Sequence, residues 1–106
     1  MATLRKVRSL FAQGGWVQGS FAVDAANKAC PYDDERACRF CVLGALLHYT
    51  HSINHYGECV SPIQRVLTEE GYKDQWGFAD IANWNDSRSS VDEVLEVLDK
   101  TIALIQ

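Results

Sequence analysis

The run RACRFCVLGALLHYTHSINH, residues 36–55, constrains the chain more than any other stretch. On a helix turning about 100° per residue, Phe40, Cys41, Val42, Leu43, Ala45, Leu46 and Leu47 point in almost every direction. A helix that is apolar all round is a buried one. Asp33 or Asp34 can cap it, and Asp34-Glu35 suits the positive end of its dipole. The expectation is a central helix over about residues 34–52, wrapped by the other segments. Gly44-Ala45, in its middle, lets a second element approach closely.

The flanking segments supply the wrapping. Residues 2–13 read as an amphipathic helix on Leu4, Val7, Leu10 and Phe11, ended by Gly14-Gly15. Residues 16–23 (WVQGSFAV) are too short and glycine-marked for a helix, which predicts a short extended segment, and residues 24–33 form a polar loop. Ser61-Pro62-Ile63-Gln64 has the pattern of a helix start, with Ile63, Val66 and Leu67 inward and Gly71 as its stop. A shorter helix is expected over 75–84 on Phe78, Ile81 and Trp84. The last begins at Ser89 or Ser90, where Ser90 and Glu93 form a capping box, and carries Val91, Val94, Leu95, Leu98, Ile102 and Ile105. The fold class is mainly α: one compact domain over 1–106, with about five helices around a buried central one.

A chain of 106 residues can bury one core without metal or disulfide staples. Ten basic against fourteen acidic residues give a net charge of −4, which argues against a nucleic-acid partner. The cluster Arg5, Lys6 and Arg8 reads as a solvated helix face. No apolar run approaches the roughly 18 residues of a membrane span, and no signal-peptide pattern is present. The expected location is the cytoplasm, with the four cysteines as reduced thiols.

Three chemistries compete for Cys38, Cys41, His48, His51 and His55. Zinc accepts thiolate and imidazole, so Cys38, Cys41, His51 and His55 are an alternative metal set. One helix cannot close it, because residues 41 and 55 lie about 21 Å apart along its axis. Cys41, His48 and Asn85 or Asp86 have the residue types of a thiol catalytic set. Against that, Cys41 would sit about two turns inside the helix, beyond the amides that lower a thiol pKa. Packing explains the cysteines more simply, as small buried hydrophobes. On that reading there is no cofactor, and zinc remains the alternative.

Trp84-Asn85-Asp86 can hold a ligand or close a helix. Trp16, Trp76 and Trp84 suit the core or its rim. Tyr49, His51, His55 and Tyr56 form the group least explained by packing.

The order G-W-x-x-G-x-F at Gly15 to Phe21, R-F-C-x-x-G-A-L at Arg39 to Leu46, W-N-D at Trp84 to Asp86 and a final V-x-x-V-L-x-x-L-D helix resembles a family of small bacterial and phage proteins. That family is classed as a domain of unknown function. The resemblance covers about residues 4–103 and matches Trp16, Cys41, Gly44, Ala45, Trp84, Asn85 and Asp86, but not Cys38 or the histidines. Its phage association implies, by analogy, a protein that binds a host component.

The resulting expectation is a small non-enzymatic binding protein, a monomer or homodimer with a protein partner. Its contacts would be His51, His55, Tyr56, Trp84, Asn85 and Asp86. Inhibition of a bacterial defence component in the host-cell cytoplasm is the concrete version. A thiol-dependent hydrolase on Cys41 and a zinc-stabilised domain are the alternatives.

Overall fold

The computed structural model describes residues 2–50, 53–72 and 80–105. The elements run α1 (Ala2–Ala12), β1 (Ala22–Val23), β2 (Ala29–Cys30), β3 (Arg39–Phe40), α2 (Val42–Thr50), α3 (Ile53–Glu69), α4 (Ile81–Asp86) and α5 (Val91–Ile105). The mainly α expectation is met, with a small antiparallel sheet of order β2-β1-β3 added to it.

Helix α1 buries Leu4, Val7 and Phe11, three residues of the expected stripe. It ends as its glycines require. Gly14 has a left-handed φ of 94°. The Gly14 N–H donates to the Phe11 carbonyl at 3.1 Å and the Gly15 N–H to the Leu10 carbonyl at 2.9 Å. This double closure ties up carbonyls that the helix end leaves open. The chain then runs beside β3: the Phe40 N–H donates to the Gly15 carbonyl at 2.7 Å, and the Val17 N–H to the Phe40 carbonyl at 3.0 Å.

The single helix expected over 34–52 is corrected. Asp34 folds back on itself, its carboxylate accepting the Arg36 N–H at 2.8 Å and pairing with the guanidinium at 3.0 Å. Arg36 holds that carboxyl down to about 2, first through its side-chain hydrogen bond and then through its backbone N–H. The backbone of 38–40 goes to the sheet instead of a helix: the Cys38 N–H reaches the Val23 carbonyl at 2.9 Å, and Phe40 pairs with Ala22. Only from Val42 is the chain α-helical, and α2 spans nine residues to Thr50. It is still the centre of the fold, packing on α1, α3, α4 and β3.

The start expected at Ser61 is also corrected, because α3 runs from Ile53 through Pro62 to Glu69. A proline in a helix interior costs about 3 kcal/mol. The buried side chains Cys59, Ile63, Val66 and Leu67 carry one apolar face across it at the i, i+4, i+7, i+8 spacing, which offsets that cost. Gly71, at φ 86°, stops the helix as expected.

The short fourth helix begins at Ile81, with the Asp80 carboxylate accepting the Asn83 N–H at 3.1 Å. Trp76 and Phe78 lie outside the described residues. In α5 the fully buried stripe is Val94, Val97, Leu98 and Thr101. Val91, Leu95 and Ile102 pack at its edge, while Ile105 is exposed, so the stripe is rotated from the expected one. The Glu93 carboxylate reaches the Ser89 N–H, at 3.4 Å, and pairs with Arg88 at 3.5 Å.

Candidate functional site

Asn85 ties three separate stretches of sequence together. Its Oδ1 accepts the Trp16 indole N–H at 2.7 Å and the Val42 N–H at 3.1 Å. Its Nδ2 donates to the Val17 carbonyl at 3.2 Å and to Asp86 Oδ1 at 3.0 Å. All four bonding positions of the amide are filled, and the residue is 0% exposed. Gln18 closes the same turn from outside, donating to the carbonyls of Asn85 at 2.9 Å and Arg88 at 2.7 Å.

Cys41 occupies the N-cap of α2, not its interior. Its carbonyl accepts the first helical bond, from the Ala45 N–H at 2.9 Å, and its Sγ accepts the Gly44 N–H at 3.3 Å. The expectation that Cys41 lies two turns inside a helix is therefore overturned; the strand that ends at Phe40 moves the helix start next to it. Position alone does not activate the thiol. Burial pushes its pKa up, against the Gly44 and Leu43 N–H groups that lower it, and the Asp86 carboxylate adds to the rise.

Gly44 explains how β1 reaches this corner. A Cβ there would lie 1.9 Å from the Phe21 carbonyl oxygen, so only glycine admits the approach. The Phe21 carbonyl in turn accepts the Cys41 N–H at 3.2 Å. The close approach expected of Gly44-Ala45 is present at Gly44.

The result is a cleft of about 190 Å³ lined by Gly19, Ser20, Phe21, Cys41, Ala82 and Asp86. Asp86 Oδ1 is fixed by the Gly19 N–H at 2.9 Å as well as by Asn85. Gly19 has a φ of 85°, which suits glycine alone and aims its N–H at the carboxylate. Phe21 is 52% exposed and also borders a second cleft with Ala29, Cys30, Pro31 and Tyr32. It stands as an aromatic ridge between the two.

The residues singled out in the sequence separate here. Trp84 and Asn85 are internal, so of that turn only Asp86 faces solvent. His48 is two helical turns from Cys41, roughly 10 Å along the axis. Its ring lies 4.6 Å from that of Phe40, and its Nδ1 is 3.2 Å from the Tyr32 carbonyl. The thiol set is therefore divided: Cys41 and Asp86 meet in the cleft, His48 serves another corner, and Asn85 is fully committed.

Cys38 is exposed, its thiol donating to the Val23 carbonyl at 3.7 Å, and no cluster of three or more metal-binding side chains occurs among the described residues. His51 and the side chains of His55 and Tyr56 lie outside the described residues.

Ser20 and Ala82 are site residues that the sequence does not single out, and Gly19 and Phe21 enter there only as motif positions without a site role. Their signal in the sequence is an aromatic placed two residues after a glycine in an extended segment, which has no meaning until the sheet is formed.

The fold and this junction define a small, mainly α domain with an internal amide clasp and a shallow cleft beside it. The chain matches the model of a family of unknown function (DUF6197) over residues 1–104 and belongs to that family. No curated protein and no solved structure matches it. No helix among the described residues is long and apolar enough to cross a membrane.

Proposed function

We propose that the protein works by binding a protein partner through the face that carries Phe21 and Asp86, without chemistry at Cys41. The observation that carries this reading is the exposed Phe21 ring between two clefts. A large aromatic exposed at the rim of a pocket is the side-chain type that anchors protein interfaces. The arrangement around Cys41 supports binding over hydrolysis, because the thiol is held neutral and His48 is engaged elsewhere. Of the contact residues expected from sequence, Asp86 is kept and Trp84 and Asn85 are buried, while His51 and the side chains of His55 and Tyr56 lie outside the described residues; Phe21 is added. Inhibition of a bacterial defence component is the concrete version that the resemblance to phage proteins suggests.

The test is a photoreactive phenylalanine analogue placed at position 21, with the same probe at exposed Arg65 on α3 as the control. Binding through this face gives one discrete adduct from position 21 in the native cell and none from position 65. Identical patterns from both positions, or none from position 21, would remove the reading.

A further inference from the structure

We infer that the cleft beside Cys41 accepts a single lysine side chain from the partner, an inference that rests on the binding role proposed for this face. Its size sets the first limit. At about 190 Å³ it falls below the roughly 300–1,000 Å³ of a site for a drug-sized ligand or cofactor. Its walls are predominantly apolar, from Phe21, Cys41 and Ala82, which suits an aliphatic stem.

The charge sets the second limit. Among the described residues that line the cleft, Asp86 is the one with an acidic or basic side chain. Its nearest basic neighbour in sequence, Arg88, does not neutralise it. That guanidinium lies 5.3 Å from the Tyr72 ring centre and 5.7 Å from the Trp84 ring centre, and pairs with Glu93 at 3.5 Å. Among the described residues no cation pairs with Asp86, so the cleft is complementary to a positive charge.

The bonding pattern then separates lysine from arginine. Asp86 Oδ1 already accepts two N–H groups, from Gly19 and Asn85, whereas Oδ2 accepts none among the described residues. A guanidinium fork needs both oxygens of a carboxylate. An ammonium is a point charge that needs one. Oδ2 and the exposed Phe21 ring at the rim provide that single contact and a cation–π surface.

The test is an amide-resolved NMR titration of the whole chain with Nα-acetyl-lysine N-methylamide. The norleucine and arginine equivalents are titrated beside it. Lysine binding moves the Gly19, Ser20, Ala82 and Asp86 amide signals saturably, roughly tenfold more tightly than norleucine. Asp86→Asn abolishes that preference. Ala82→Leu, which fills the cleft and leaves Asp86 in place, blocks all three ligands and decides the question if Asp86→Asn fails to fold.

Equal binding of lysine and norleucine, tighter binding of arginine, or no saturable shift would each overturn the inference. Shifts that appear on concentrating the protein without ligand would assign the cleft to a lysine of a second copy, and would equally overturn a heterologous partner. Crosslinking from position 21 without lysine binding leaves the binding role standing and removes only this inference.

Discussion

The Trp16 indole and the Asn85 side chain, 69 residues apart, are joined by a hydrogen bond of 2.7 Å. Through the same amide the backbone of Val17 and Val42 is also held. Removing the amide leaves several buried donors and acceptors without partners, each costing about 1–3 kcal/mol. Asn85→Ala is therefore expected to lower stability by about 3 kcal/mol, read by chemical denaturation with the Trp16 environment as a second signal. A loss below about 0.5 kcal/mol would mean the bonds are not made in solution.

Asn85→Asp tests the polarity of the same clasp. The Nδ2 that faces the Asp86 carboxylate becomes an oxygen, which sets two carboxylates against each other. The expected result is a variant less stable than the parent at neutral pH, with the gap narrowing as pH falls and the buried carboxyl introduced at position 85 gains a proton. A gap independent of pH would place the cost in lost geometry alone.

Gly44 and Gly57 form a matched pair. At Gly44 an added Cβ meets the Phe21 carbonyl oxygen at 1.9 Å, and at Gly57 it meets nothing within 4 Å. Gly44→Ala must push β1 off α2 and is expected to cost about 3 kcal/mol. Gly57→Ala, on the exposed face of α3, is expected to add roughly 0.5–1 kcal/mol through helix propensity. Denaturation midpoints of the two variants check both signs at once.

Much of the fold is legible in the sequence where one local signal suffices. Helix α1 follows from the spacing of Leu4, Val7 and Phe11 and from the glycine at its end, and Gly71 stops α3 for the same reason. The errors fall where tertiary pairing overrides a local pattern. Arg39 and Phe40 belong to a strand because Val23 and Ala22 are there to pair with them, which no helical wheel can reveal. The cap of α2 is hidden because cysteine is not among the usual capping residues. Ser61-Pro62 reads as a helix start, yet Cys59 and Ile63 continue one face across it, so the apolar spacing is the better guide. The candidate site is half legible: Asp86, Cys41 and the glycines stand out in the sequence, whereas Phe21 becomes a ridge only once Gly44 admits β1.

Cys41 and Ser differ in one titration. Burial raises the Cys41 thiol above its ordinary value of 9.0, so the folded chain keeps a proton that the unfolded chain releases. The stability from the neutral thiol is thus complete below about pH 9 and is lost as pH rises through the folded value. Buried Cys59, also raised chiefly by burial, acts in the same direction. Cys41→Ser keeps an acceptor for the Gly44 N–H and removes this titration. Its stability is expected to fall less steeply than the parent's above about pH 9. Parallel alkaline limbs would mean that Cys41 ionises as freely in the fold as outside it.

The same thiol offers the most direct measurement of whether this corner frames a binding cleft or arms a nucleophile. The ¹³Cβ shift of Cys41, followed from neutral to alkaline pH in the folded protein, reports its ionisation alone. The expected trace is that of a neutral thiol throughout the neutral range, with its transition above the ordinary 9.0. A thiolate shift already present at about pH 7 would overturn the binding account and restore Cys41 as a catalytic residue.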